Sequence, residues 1–366
     1  MIERKDAKKY NRIKLYISLS QIFIDLLFWL FIISLNFNYF FANLAYKLCS
    51  TDLSQFYIFT LIIGLLKFTL DLPFSFYSGF IIEKKFNLTN QKLSSWIFEQ
   101  TKGLLIGIIL GFIVLTIFYV ILLNYPDSWW IWVWLFILLF GILLSHLAPI
   151  IIFPLFYKFT PLENEKLAAR IKSFAERWHF KVTGIFQFNL SKTTKKANAA
   201  FTGIGKSKRI ILGDTLLQNF TEDEIESIFA HEIGHYKYHH LLKGIFFSST
   251  LSFLGIFTVF KIYQMTTTSL DLLPHQLEAL PYLALLFYLY SILTTPLGNY
   301  ISRKFEYQAD QFAVKSTGNP EVFKRSLLKL AELNLADRDP HPIVEILFYS
   351  HPSIKHRIEK ISRALQ

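Results

Sequence analysis

The chain has 366 residues, of which 52% are hydrophobic, 17% aromatic and only 18% charged, with Phe alone at 38. About a quarter of a soluble domain is charged, so this composition and a mean hydropathy of +0.36 exclude an ordinary water-soluble globule. Lys and Arg outnumber Asp and Glu by 38 to 27, and the single cysteine, Cys49, excludes an internal disulfide and a thiolate metal cage, so a metal site here must be built from His and carboxylates.

Crossing a bilayer core in helix takes about 20 apolar residues, and six stretches qualify: 15–35, 56–82, 103–123, 129–156, 244–263 and 280–300. Arg4, Lys5, Lys8, Lys9, Arg12 and Lys14 precede the first. That span is too long for a signal-peptide core and no small-residue cleavage site follows it, so it is expected to remain as an anchor. With the N-terminus inside, only Lys47 and Lys261 fall outside and Lys67 falls within a span, which leaves every other basic residue on the inner side. The basic surplus is then topological and directed at anionic lipid headgroups, and no nucleic-acid partner is expected. Asp25, Lys67 and Asp71 sit inside spans, where charge is costly. Lys67 and Asp71, four residues apart, either pair with each other or line a wet chamber.

The first four spans define a transmembrane region, residues 1–156. Residues 157–366 are expected to form the second unit, in which the polar stretches 157–243 and 301–366 fold together around a transmembrane hairpin at about 244–300. The first polar stretch contains a helix over 163–178 with Leu167, Ile171, Phe174, Ala175 and Trp178 on its apolar stripe, then strand-like runs at 184–190 and 209–212. A further helix opens at Thr221, where Glu224 three residues on completes a capping box.

That helix runs on into His231-Glu232-Ile233-Gly234-His235. Four residues turn about 400° in an α-helix, so the two imidazoles project from one face and can share one zinc, with Glu232 beside them to hold the attacking water. Zinc catalysis needs a third protein ligand and an open position. Where the sixth span re-enters the inner side, Asn299, Arg303, Glu306 and Asp310 form one helical stripe. Glu306 can face the metal there, and Asp310, one turn on, can accept a hydrogen bond from a ligating imidazole. His239 reads as lying on the same helix as His231, about 12 Å along its axis, with neither Gly nor Pro from Tyr236 to His240 to break it. His239 and His240 are therefore expected to be solvated and not ligands.

Other motifs lie in order along the chain: Leu72-Pro73-Phe74-Ser75-Phe76-Tyr77, Ile82-Glu83-Lys84-Lys85-Phe86-Asn87, Ala148-Pro149, Pro154-Leu155-Phe156 and Lys158-Phe159-Thr160-Pro161-Leu162. Asn198-Ala199-Ala200-Phe201, Lys208-Arg209-Ile210-Ile211-Leu212 and Asp214-Thr215-Leu216-Leu217 precede the His helix. Ser302-Arg303, Glu306-Tyr307-Gln308-Ala309-Asp310, Ser350-His351-Pro352 and Arg357 follow it. Together with the His-Glu-x-x-His helix they resemble the integral-membrane zinc metalloproteases of the CAAX prenyl protease 1 type.

The resemblance implies a mainly α, polytopic transmembrane bundle with a zincin-like metalloprotease domain carrying a small β-sheet. It implies one Zn2+ per chain on His231, His235 and Glu306, with Glu232 as the base and His351 and Arg357 near the substrate oxyanion. Asn198, Ala199 and Phe201 then belong to an edge against which substrate backbone lies. Eukaryotic members of that type have a seven-span arrangement around an intramembrane chamber. With six spans, and with the N-terminal one expected to be lacking, this chain is expected to enclose a smaller or more open one.

The expected reaction is endoproteolysis of a peptide or protein, lipidated at a CAAX terminus if substrate choice follows the resemblance. The alternative is a quality-control protease without prenyl specificity, and the rivals from other classes are a transporter or a catalytically silent scaffold. Glu232 beside both histidines argues against silence, because a structural metal site needs no base. Richness in Phe, Ile, Lys, Asn and Tyr fits an AT-rich prokaryotic genome, hence an inner membrane; a eukaryotic source would place the protein in the endoplasmic reticulum. Both termini and the catalytic domain are expected in the cytoplasm.

Overall fold

Apolar helices of 30 residues or so organise the chain, and a small mixed sheet packs against the shorter polar helices between and after them. The computed structural model describes residues 4–180, 182, 184–202 and 209–363; Lys208 and the side chain of Phe201 lie outside what is described. Helix α1 (Arg4–Ser34) leads into a short α2 (Phe37–Leu48). Helix α3 (Asp52–Phe76) returns and passes through a π-helical turn at Tyr77–Ile82 into α4 (Glu83–Lys85). Helices α5 (Leu93–Asn124) and α6 (Trp129–Leu147) follow, the latter continuing through a second π-helical turn into α7 (Phe153–Phe156). Pro73 lies four residues before the first of these turns and Pro149 lies within the second, where a missing N–H loosens the regular i→i−4 ladder.

The polar stretch then supplies β1 (Phe159–Pro161), α8 (Glu165–Arg177), β2 (Gly184–Phe188), β3 (Ala199–Thr202), β4 (Arg209–Gly213), α9 (Asp214–Asn219) and α10 (Glu222–Lys237). A long hairpin of α11 (His240–Ser269) and α12 (Leu280–Thr317) comes next, followed by α13 (Pro320–Leu333), α14 (Pro342–Phe348) and α15 (Ile354–Arg363). Among the described residues six helical stretches are long and apolar enough to cross a membrane: Lys5–Ser34, Asp52–Lys85, Leu93–Asn124, Trp129–Phe156, His240–Ser269 and Leu277–Thr317. Each coincides with one expected span. Their exposed apolar residues, such as Leu105, Ile108, Ile109 and Phe112 on α5, suit a hydrocarbon solvent, in which a helix satisfies its own backbone.

The sheet has the order β1-β2-β4-β3, with β2 and β4 parallel and the two outer pairs antiparallel. Strand β3 is therefore an edge. Strand β1 was not legible from sequence because three residues carry no usable period. The domain core is built by Leu167, Ile171 and Phe174 of α8, Ile210 and Leu212 of β4, Ile225 and Phe229 of α10, and Phe312 of α12. The sixth span and one wall of the polar domain are thus a single helix.

Two sequence expectations need correction. His239 adopts a left-handed conformation (φ 54) that ends α10 at Lys237 and lets α11 start afresh at His240; the chain breaks there without Gly or Pro. His240 is consequently not solvated but buried. In the membrane region Lys67 pairs with Asp71 and also with Asp25 of α1, at 2.8 Å. It also borders a largely apolar cavity of about 430 Å³ bounded by Trp29, Phe56, Phe59, Leu115, Leu283 and Phe287; of the two alternatives the structure shows the pairing.

The capping box at Thr221 forms as expected, with Thr221 N–H donating to Glu224 Oε2 at 2.9 Å. The same carboxylate, 2% exposed, accepts from Arg325 Nε at 2.9 Å and Lys329 Nζ at 3.1 Å, tying α10 to α13. Burial works against the charged form, but these three donors outweigh it and hold the Glu224 pKa below its ordinary 4.5. A carboxylate favoured in the folded state contributes stability above its unfolded pKa, and that contribution is lost as pH falls through the folded value. Glu224→Gln is therefore expected to cost about 1–3 kcal/mol at pH 7. The gap to wild type should close on acidification below about pH 4.5, as melting curves in detergent at the two pH values would show. An equal gap at both would mean that packing, not charge, was lost.

Candidate active site

Helix α10 delivers His231, Glu232 and His235, and α12 delivers Glu306 and Asp310. The two helices approach so closely that a Cβ on Gly234 would lie 2.9 Å from Ala309 Cα and 3.1 Å from Phe312 Cβ. Glycine is required there because any side chain would push Glu306 away from the imidazoles.

His231 Nε2 lies 3.1 Å from His235 Nε2 and 3.4 Å from Glu306 Oε2, while His235 Nε2 lies 3.3 Å from Glu306 Oε1. Three donor atoms, one from each residue, fall within 4.8 Å of one another, so His231, His235 and Glu306 could hold a metal ion. The remaining nitrogens also have close polar neighbours. His231 Nδ1 lies 2.9 Å from Asp310 Oδ1, and Asp310 in turn accepts from Arg357 Nε at 2.8 Å and Nη2 at 2.5 Å. Arg357 Nη2 also stands 3.7 Å from Glu306 Oε2. With Glu232, three carboxylates face one guanidinium, a charge balance that favours a bound cation. Burial alone would lower the pKa of His231, but hydrogen bonding and attraction from Asp310 and Glu306 raise it to about 9, the same preference for positive charge expressed by a proton. Burial lifts the Glu232 carboxyl above its ordinary value, against the pull of the two imidazoles.

Sequence reasoning missed His240. Its Nδ1 lies 3.0 Å from His235 Nδ1 and its Nε2 2.9 Å from Gln308 Oε1. If His235 turns a lone pair on Nε2 to a metal, its Nδ1–H donates to His240 Nδ1 and His240 Nε2–H donates to Gln308. One chain of bonds then fixes both tautomers. Helical spacing from His235 could not reveal this contact, because it exists only through the reversal at His239.

The expected stripe on α12 has a further use. Arg303 Nη1 donates to the carbonyls of Glu345, Ile346 and Tyr349 at 3.0, 3.2 and 2.6 Å, and Asn299 Nδ2 to that of Leu347 at 2.8 Å. A cation thereby caps the C-terminus of α14 and fixes the loop that carries His351. His351 is exposed, with Nε2 3.4 Å from Glu306 Oε1 and Nδ1 3.0 Å from Ser350 Oγ. A cleft of about 350 Å³ brings together His231, Glu232, Glu306, His351 and Arg357 with Asn198 and Ala199 of the sheet edge. Phe201 lies in the same strand by its backbone.

The family described as Peptidase family M48 matches residues 161–365, and the family described as CAAX prenyl protease N-terminal, five membrane helices, matches residues 3–158. The chain belongs to Peptidase family M48. It is 33% identical over 306 residues to "Uncharacterized metalloprotease YhfN" of Bacillus subtilis, covering 82% of this chain and 72% of that one. It is 35% identical over 311 residues to "CAAX prenyl protease 1" of Saccharomyces cerevisiae, covering 79% of this chain and 68% of the relative. The crystal structure of S. mikatae Ste24p superposes with a TM-score of 0.87 at 29% identity, over 97% of this chain and 88% of that chain. The protein is thus a multi-pass membrane metallopeptidase acting on peptide or protein substrates.

A histidine that orients a metal-binding imidazole contributes about tenfold to a hundredfold to metal affinity. His240→Ala is expected to show that loss in competition with a chromophoric chelator. Unchanged affinity would leave His240 with packing alone.

Proposed function

We propose that the protein is a zinc endopeptidase in which His231, His235 and Glu306 bind one Zn2+. The observation that carries the reading is the convergence of those three donors and Glu232 in the cleft that also holds the free edge of the sheet. Two nitrogens and one carboxylate oxygen, with a position left open, suit zinc. Bound there, zinc would polarise the scissile carbonyl and make a water acidic enough to attack near neutral pH.

The chain's own groups do the rest. Glu232 takes the proton of the attacking water and passes it to the leaving amine as the C–N bond breaks. Asp310, itself clamped by Arg357, holds the His231 ring in the tautomer that turns Nε2 to the site. His351 accepts from Ser350 at Nδ1 and offers Nε2–H to the developing oxyanion. Arg357 spends two N–H groups on Asp310, so it acts on the oxyanion chiefly as a nearby positive charge. Substrate backbone adds to β3 at Ala199 and Phe201, with Asn198 at the mouth of the edge.

The substrate proposed is a peptide lipidated at a CAAX C-terminus, on the strength of the names of the relatives; membrane-protein quality control is the alternative. The chain divides into a transmembrane region, 1–156, and a metalloprotease domain, 157–366, interrupted by the hairpin at about 244–300, a division supported by family matches that change over between residues 158 and 161. The catalytic domain and both termini face the cytoplasm, from an inner membrane or the endoplasmic reticulum according to source. Support comes from the basic flanks and from Asn11 Nδ2, near the start of α1, donating to Leu335 O of the metalloprotease domain at 2.6 Å.

Glu232→Gln keeps the shape of the side chain but cannot accept a proton. It is expected to lower turnover by about 10²–10⁴-fold with metal content unchanged, read by elemental analysis beside peptide cleavage; near wild-type turnover would remove Glu232 as the base. Running prenylated and unmodified peptides side by side, with and without a chelator, separates the two substrate readings. Reporter fusions at the C-terminus and near Asp271 should report opposite sides of the membrane, and the same side for both would overturn the topology.

A further inference from the structure

The free edge of β3 is not open along its whole length. Gly213 N–H donates to Asn198 O at 3.0 Å, and Ala199 stands opposite Leu212 and Ala200 opposite Ile211. In an antiparallel ladder the peptide groups alternate, so those of Asn198 and Ala200 turn toward β4 and those of Ala197, Ala199 and Phe201 turn to the outside. At Ala197 the outside is already taken. Its N–H donates to Asn334 Oδ1 at 2.9 Å, and its C=O accepts from Asn334 Nδ2 at 3.3 Å. One side-chain amide thus supplies both the acceptor and the donor that a paired strand residue would supply. Asn334 is the C-cap of α13, and Leu327, Leu330 and Ala331 of that helix wall the same end of the cleft.

We propose that Asn334 is a register-setting residue for substrate: it ends the pairing edge at Ala197, so that a substrate strand pairs with Ala199 and onward to Phe201 but not with Ala197. The proposal rests on the reading of β3 as the substrate edge. A substrate strand running antiparallel to β3 sends its C-terminal side toward Ala197. The substrate residue paired with Ala199, called X here, spends both its N–H and C=O on the edge. The residue two further toward the C-terminus, X+2, would have paired with Ala197 and instead finds the position occupied. From there the substrate leaves the sheet along the wall of α13. Recognition at X+2 is then through side-chain contact alone, and the class of substrate accepted includes peptides whose backbone nitrogen at X+2 carries no hydrogen, such as proline or N-methylated residues.

The test uses the full-length zinc-loaded protein in detergent and one cleavable peptide carrying a single backbone N-methyl group, walked residue by residue across the cleavage region. In the wild type, kcat/KM should fall when X is methylated and stay within about twofold when X+2 is methylated. In Asn334→Ala the freed Ala197 C=O accepts from the X+2 N–H, and methylation there should now cost about tenfold, the worth of one hydrogen bond. Asn334→Asp, which keeps an acceptor for Ala197 N–H and still fills the position, should stay tolerant at X+2, so the change in Asn334→Ala reads removal of the blocking group. Each value is a ratio within one protein, so a smaller folded fraction in a variant does not alter it. Wild-type sensitivity at X+2, tolerance at X+2 unchanged in Asn334→Ala while X stays sensitive, or an equal gain of sensitivity in Asn334→Asp, would overturn the role of Asn334. Insensitivity at every position in the wild type would instead overturn β3 as the substrate edge.

Discussion

Asp310 is the group on which the arrangement depends. It is 2% exposed and carries a charge that could not be buried alone, since an uncompensated carboxylate in a protein interior costs several kcal/mol. Arg357 meets it with two parallel bonds, and His231 Nδ1 stands 2.9 Å from Oδ1, the oxygen that also accepts from Arg357 Nη2. These two partners come from α15 and α10 and Asp310 itself from α12, so satisfying one charge brings three helices to one relative position. Glu306, one turn away on α12, then falls beside His231 and His235. Gly234 makes this distance possible, because only a residue without Cβ lets the backbones of α10 and α12 come so near.

The membrane region contributes more than an anchor. Glu83, at the C-terminal end of the second span, accepts from Tyr10 at 2.6 Å and pairs with Lys14 of α1 and with Lys196, the latter immediately before the sheet edge. Lys195 N–H donates to Leu88 O, and Thr89 Oγ1 donates to Thr193 O. The segment leading into β3 is therefore tied to the connection between the second and third spans. At the opposite end of the bundle Glu278 is held by Tyr46 through its side chain and by Asn38 through its carbonyl. Fixed at both ends, the bundle and the metalloprotease domain share α12, so the cleft has a defined position relative to the bundle.

The features legible without a fold rest on local periods. Apolar runs of membrane-spanning length, the two imidazoles one turn apart, the Thr221–Glu224 capping box and the stripe from Asn299 to Asp310 all follow from 1.5 Å and 100° per residue, and they need no knowledge of distant chain. The roles suggested for His351, Arg357 and the Asn198 segment came only from resemblance, because a His before a Pro or an Asn in a loop has no local signature of chemistry. The structure brings all three to one cleft.

Tertiary structure alone decided the rest. The reversal at His239 breaks no rule visible in composition, yet it turns His240 inward onto His235. The sheet order β1-β2-β4-β3 places β3 at an edge beside the cleft, and a three-residue β1 becomes a strand only because β2 is there to pair with it. Arg303 and Asn334 look like ordinary polar residues on helices. Their uses, holding the carbonyls of α14 and occupying the peptide groups of Ala197, depend on partners more than 40 and more than 130 residues away in sequence. Hydrogen bonds at such separations are set by how whole elements pack, and packing is a property of the assembled core that no window of neighbouring residues contains.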